Sequence, residues 1–222
     1  MVKGYHEQLQ TAQTEYWKYV TTAKTETSAV PSFWQPQQDL IQLLDVPATS
    51  SEFQKVQARF NETQPAPILR LQRIQNTRLW ENFSYELNKL RSKYGTDPNR
   101  LNLFHGTRTT APEAIFRGQE EGFDMRYCSS GMWGQGIYFA VNASYSNSYA
   151  HTNSKGEKEM FMADVIVGQP YNCPSDPSLR MPPFIPGNAD RYDSVTGETG
   201  GSVVFIIYAN SKAYPQYLIT YR

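Results

Sequence analysis

Apolar positions recur along this chain at two spacings, and the change from one to the other marks out its elements. Over residues 77–94 they fall at Leu79, Phe83, Leu87 and Leu90, a stripe along one face of a helix. Gly95 then supplies a stop. Phe53, Val56 and Phe60 repeat the helical spacing after a turn at residues 45–51, with Ser50 or Ser51 as the cap. Residues 69–72 alternate apolar and polar, the period of a half-buried strand. Short strands are predicted at residues 101–104, 137–140, 160–167, 203–208 and 216–221, and a helix capped by Asn142 at residues 142–150. Glycines make residues 122–135 a loop, and residues 168–201 read as turn and loop. Near the start, residues 5–23 are polar with scattered aromatics and suit a helix, followed by a linker at residues 24–32. Short strands mixed with separate helices argue for an α+β fold over a parallel α/β one.

Charge narrows the function classes. Lys and Arg balance Asp and Glu at 21 each, and no basic run stands out, so a nucleic-acid partner is not expected. Two cysteines, Cys128 and Cys173, lie far apart and outside any CxxC pair, which argues against a zinc site and against a disulfide framework. That usage fits a reducing compartment, with an intracellular place, cytoplasmic or nuclear, as the expectation. The first residues are polar and hold no signal-peptide core. The longest strongly apolar run, residues 203–209, suits a buried strand and is too short to cross a membrane. Tyr is abundant at 15 residues and suits pockets where an apolar face meets a polar tip, although most of these rings are expected to be ordinary packing.

Four segments carry candidate chemistry: Leu103-Phe104-His105-Gly106-Thr107, Gly134-Gln135-Gly136-Ile137-Tyr138-Phe139-Ala140, Ala143-Ser144-Tyr145-Ser146 with Tyr149, and Tyr214-Pro215-Gln216-Tyr217-Leu218-Ile219. Singly each has a bland reading: a structural His, core aromatics, a surface hydroxyl. Together, in this order, they resemble the poly(ADP-ribose) polymerase-like family of ADP-ribosyltransferases, of the diphtheria-toxin type, and most closely its mono-ADP-ribosylating branch. Arg73-Ile74-Gln75-Asn76 with Leu79-Trp80, Val30-Pro31 with Trp34, and Tyr192-Asp193-Ser194-Val195 extend the likeness over residues 30–222 and leave residues 1–29 as an extension, possible docking element or helix.

The resemblance implies a fold of two packed, mostly antiparallel β-sheets with flanking helices and a cleft for NAD between them. NAD would be the co-substrate, with no metal. Nicotinamide is a flat aromatic amide, so its site needs aromatic faces, a donor and an acceptor. The family pattern puts Tyr138 on one face of the ring and Tyr149 on the other, the Ser146 hydroxyl on the carboxamide, and the backbone N–H and C=O of Gly106 on the same amide. His105 would bond a ribose hydroxyl of the adenosine half, with Thr107 assisting. Polymer-forming members carry a Glu thirteen residues before the last-strand tyrosine, here Tyr217; that position is Val204, and residues 202–206 hold no carboxylate. Single-unit transfer to protein side chains, Glu/Asp or Cys, with automodification among the targets, is the expectation. The alternative is a catalytically silent domain serving as a binding module, with the loop at residues 122–135, bulky at Met125, Tyr127, Met132 and Trp133, as the source of obstruction. A toxin-like transferase is the third and weakest reading.

Overall fold

The computed structural model describes residues 30–117 and 121–222. The helix expected over residues 5–23 lies outside them. The chain divides into two units with the break after Gln35, and all that follows concerns the unit Pro36–Arg222.

Among the described residues, ten strands and four helices alternate irregularly, as an α+β fold requires. The strands are β1 (Ile41–Asp45), β2 (Ile68–Asn76), β3 (Arg100–His105), β4 (Ile137–Ala140), β5 (His151–Thr152), β6 (Lys158–Ile166), β7 (Pro170–Asn172), β8 (Ser194–Thr199), β9 (Ser202–Ile207) and β10 (Ala213–Tyr221). The helices are α1 (Ser51–Asn61), α2 (Thr77–Tyr94), α3 (Glu113–Phe116) and α4 (Ala143–Asn147). Neighbours run in the order β1-β2-β10-β6-β3-β4-β9-β8-β7, with β5 on β6. Every pairing is antiparallel except β7 with β8. The path is hydrogen-bonded throughout, where two separate sheets were expected, yet its middle is thin. A single pair, Phe104 with Ala140, joins β3 to β4. The architecture is therefore two half-sheets meeting along one seam.

Strand β6 shows why the centre is so apolar. Met160 and Met162 enter one core with Phe53, Val56 and Phe60 of α1, while Phe161, Ala163 and Val165 enter the other. Alternate side chains point to opposite faces, and both faces are covered, so the strand cannot alternate apolar with polar. β10 repeats this with Ile219 on the first side and Leu218 on the second.

The two long helices follow their sequence signals. Ser50 accepts from the Phe53 N–H at 3.1 Å and caps α1, a contact that contributes about 1 kcal/mol. α2 begins at Asn76, whose Oδ1 accepts from Leu79 N–H at 3.1 Å and whose Nδ2 donates to the Phe116 carbonyl at 2.9 Å. It ends at Gly95, left-handed with φ 68.

Five expectations need correction. β2 runs four residues past Gln72 to Asn76, because Arg73 and Gln75 are buried and satisfied: Arg73 donates to both Glu52 oxygens, at 2.9 and 2.7 Å, and to Gln75 at 3.2 Å. β10 begins at Ala213, before Pro215, since the register slips between Tyr214 and Tyr217 and relieves the proline of a ladder bond. β1 takes in Asp45, which the sequence suggests as turn. β7 and β8 occupy a stretch expected to be loop, so Ser194 and Val195 lie in a strand. α4 stops at Asn147, and the Asn142 side chain donates to the Gly201 carbonyl at 2.9 Å instead of capping it.

Candidate active site

A cleft of about 1510 Å³ opens where β3, β4, α4 and the loop over residues 121–136 come together. It gathers six of the seven residues singled out in the sequence: His105, Gly106, Thr107, Tyr138, Ser146 and Tyr149. Val204 is the exception. It is fully buried in β9, paired with Ala140 and Gly197, and packs with Trp133, Val195 and Ile206 behind the cleft wall.

Gly106 follows the last residue of β3 and runs beneath α4. A Cβ there would lie 2.4 Å from the Tyr149 carbonyl carbon and oxygen and 2.7 Å from the Ser146 carbonyl oxygen, so glycine alone permits this approach. Among the described residues neither its N–H nor its C=O has a protein partner. A backbone donor and acceptor therefore sit side by side at the cleft wall. Ser146 is 3% exposed, and its hydroxyl is likewise without a partner among the described residues. Polar groups so placed bind either water or ligand.

His105 occupies the end of β3 between the rings of Phe123 and Phe139, at centroid distances of 5.1 and 5.2 Å. Its Nδ1 lies 2.7 Å from the Tyr138 carbonyl and so donates to it, which leaves Nε2 as an acceptor. Burial holds its pKa below the ordinary 6.5, against the opposing pull of the Tyr138 carbonyl. The ring is neutral at physiological pH. The Thr107 hydroxyl donates to the Thr110 carbonyl at 2.6 Å, closing a turn, and has only acceptor capacity left for a ligand.

Tyr138 lines the cleft with its ring and ties the neighbouring loop with its hydroxyl. It donates to the Gly134 carbonyl at 2.9 Å and accepts from Trp133 N–H at 2.8 Å. Gly131 lies against the phenol, where a Cβ would come within 2.7 Å of its oxygen. Trp133 is buried, its indole N–H donating to the Cys173 carbonyl at 3.0 Å. Gly197 of β8 leaves the slot for that ring, since a Cβ there would meet it at 2.1 Å. Of the four bulky loop residues, Trp133 is thus part of the wall. Tyr127 is 84% exposed and Met132 45% exposed, at the mouth.

Three contributors carried no role in the sequence. Tyr145 packs against Tyr149 with ring centres 5.3 Å apart and planes tilted by 42°, and burial followed by the Tyr149 hydroxyl raises its pKa to about 12. The Arg108 guanidinium lies over the Tyr149 ring at 4.4 Å. Phe123 completes the wall around His105. Tyr145 falls in a segment already marked by the sequence and Phe123 in the loop at residues 122–135, whereas Arg108 falls in neither. His151, to which the sequence gave no role, donates from Nδ1 to the Arg108 carbonyl at 2.8 Å.

The cleft thus offers aromatic rings, an unpartnered backbone donor and acceptor at Gly106, and a neutral imidazole acceptor at His105. Among the described residues no group of three or more His, Cys, Asp or Glu is placed to hold a metal, and no helix is long and apolar enough to cross a membrane.

Comparison with known proteins points the same way. The family model described as "Poly(ADP-ribose) polymerase catalytic domain" matches residues 50–222. A probable poly [ADP-ribose] polymerase of Dictyostelium discoideum is 37% identical over 89% of this chain and 58% of its own length. The mouse protein mono-ADP-ribosyltransferase PARP12 is 31% identical over 87% of this chain and 27% of its own length. The human protein mono-ADP-ribosyltransferase PARP11 is 30% identical over 90% of this chain and 65% of its own length. The chain thus spans well under two thirds of the first two relatives.

Proposed function

Because the chain belongs to the poly(ADP-ribose) polymerase catalytic-domain family, whose members are NAD-dependent ADP-ribosyltransferases, we propose that it transfers single ADP-ribose units from NAD⁺ to protein side chains and releases nicotinamide. One observation carries the reading: the unpartnered N–H and C=O of Gly106, with the free Ser146 hydroxyl, share one cleft with Tyr138 and Tyr149. A carboxamide offers both a donor and an acceptor, and a pyridinium ring favours aromatic faces.

The chemistry asks little of the protein beyond orientation. The bond from ribose C1′ to the pyridinium nitrogen breaks, and its electron pair neutralises the departing nicotinamide. No general acid is needed. The sugar becomes oxocarbenium-like, and an acceptor carboxylate or thiolate forms the new bond to C1′ without any net proton transfer. Holding the dinucleotide oriented is then the main contribution. Nε2 of His105 accepts from a ribose hydroxyl in this scheme. Burial of Val204 in an apolar cluster supports single-unit transfer, because an aliphatic side chain cannot activate the hydroxyl of a second ADP-ribose. Acidic or cysteine side chains of protein substrates, including those of the chain itself, are the proposed acceptors. Both cysteines of the chain are free thiols, which supports action in a reducing compartment.

Incubation with labelled NAD⁺ followed by intact-mass and fragment mass spectrometry tests the whole reading. The expected product carries increments of one ADP-ribose on acidic or cysteine side chains. Absence of any increment, combined with a melting temperature that neither NAD⁺ nor nicotinamide raises, would instead favour the silent binding module.

A further inference from the structure

Arg108 differs from the other charged residues of the cleft in both backbone and partners. Its φ is 52, in the left-handed region that side-chain-bearing residues seldom occupy. Two hydrogen bonds impose the conformation. Its N–H donates to the Tyr149 carbonyl at 2.8 Å, and its carbonyl accepts from Nδ1 of His151, also at 2.8 Å. Backbone strain persists only where the surroundings over-determine it, and such places cluster at ligand sites. The imposed turn lays the guanidinium across Tyr149, 4.4 Å from the ring centre. The stacked cation is thereby held at the cleft lining.

Its charge is also uncommitted. Arg126, the other cation lining the cleft, is held by Asp124 at 2.7 Å with Glu121 at 3.8 Å. Arg108 forms no ion pair among the described residues, and His105 is neutral. The cleft therefore presents one free, pre-oriented guanidinium. Arg108 follows Gly106 by two residues. In a dinucleotide the diphosphate lies one ribose beyond the nicotinamide in covalent order. A planar, fork-shaped donor suits phosphate oxygens better than any other side chain does.

We propose that Arg108 recognises the diphosphate of the dinucleotide, with His151 as the positioning residue that fixes its backbone. This rests on the NAD⁺ reading of the cleft. Calorimetric titration of the whole chain with NAD⁺ and, separately, with nicotinamide tests it in the wild type and in Arg108→Gln, Arg108→Lys and His151→Ala. Arg108→Gln is expected to weaken NAD⁺ roughly ten- to a hundredfold and to change nicotinamide by less than about twofold, since nicotinamide has no phosphate. NAD⁺ affinity of the wild type should fall with added salt, and that of Arg108→Gln should fall less steeply. Arg108→Lys should recover part of the loss, and His151→Ala should weaken NAD⁺ by a smaller factor at unchanged melting temperature. Unchanged NAD⁺ affinity in Arg108→Gln overturns the proposal. So do equal losses for both ligands, which would mean that Arg108 acts through the Tyr149 ring. A wild type that binds neither ligand overturns the NAD⁺ reading itself, and this proposal with it.

Discussion

Nδ1 of His105 donates across 2.7 Å to the main-chain oxygen of Tyr138, so the residue at the end of β3 fixes its tautomer on the residue that opens the cleft from β4. The sign of the pH dependence follows. Burial lowers the folded pKa beneath 6.5, so below pH 6.5 the unfolded chain takes up a proton at this position that the native state resists. The stabilisation is complete above 6.5 and declines as pH falls towards the lowered folded value. Urea melts at a series of pH values should show a steeper acid decline for the wild type than for His105→Gln. NAD⁺ affinity should fall only at lower pH, as the lowered folded value is reached and passed, because an imidazolium has no acceptor to offer a ribose hydroxyl.

Gly106→Ala should cost both stability and binding. The new methyl would sit 2.4 Å from the Tyr149 main chain, and α4 must move to admit it. Overpacking of this kind costs about 1–3 kcal/mol. Chemical denaturation measures the first effect. The second is read as loss of the thermal shift induced by nicotinamide, because displacing α4 carries Ser146 and Tyr149 away from the backbone pair.

Tyr138→Phe separates the two uses of that residue. Its ring, which would face the nicotinamide, is retained. Its hydroxyl, which receives the Trp133 N–H and donates to Gly134, is lost. Two main-chain groups lose their partner, at a cost of about 2 kcal/mol. Denaturation should report that loss. Nicotinamide affinity should fall far less than in Tyr138→Ala, where the ring itself is gone.

Val204→Glu should not create a polymerase. The side chain is fully buried beside Trp133, Ala140, Val195 and Ile206, so a carboxylate there is desolvated without a partner and lies behind the cleft wall. The variant should melt well below the wild type. Its products, resolved on a gel after incubation with NAD⁺, should show no elongation beyond the single unit expected of the parent.

Sequence legibility followed local consistency. α2 could be read to its bounds because its apolar stripe, its length and Gly95 agree, and β4 because a four-residue apolar run lies between glycine and polar turns. β8 was hidden because Thr196, Gly197 and Glu198 look like turn residues. Gly197 is there to receive the Trp133 ring from another part of the chain, which no local pattern reports. Arg73 and Gln75 concealed the second half of β2, since Glu52, the partner of Arg73, is 21 residues away and Gln37, which accepts from Gln75, is 38 residues away. Pro215 concealed the start of β10, whose register slip is visible only against β6. The cleft-lining set around His105 and Tyr138 was legible as a motif. The tie between Arg108 and His151 was not, because it depends on a backbone carbonyl, and carbonyls leave no mark on side-chain identity.

The solitary ladder pair between Phe104 and Ala140 is the narrowest join in the strand path. On one flank of it stand His105 and Gly106; on the other stands Tyr138. The pairings on either side are far longer, β6 with β10 and β8 with β9. The thinnest stretch of the sheet therefore lies at the cleft, between the strand ends that carry His105 and Tyr138, and the Nδ1 bond of His105 to the Tyr138 carbonyl is the second tie across it.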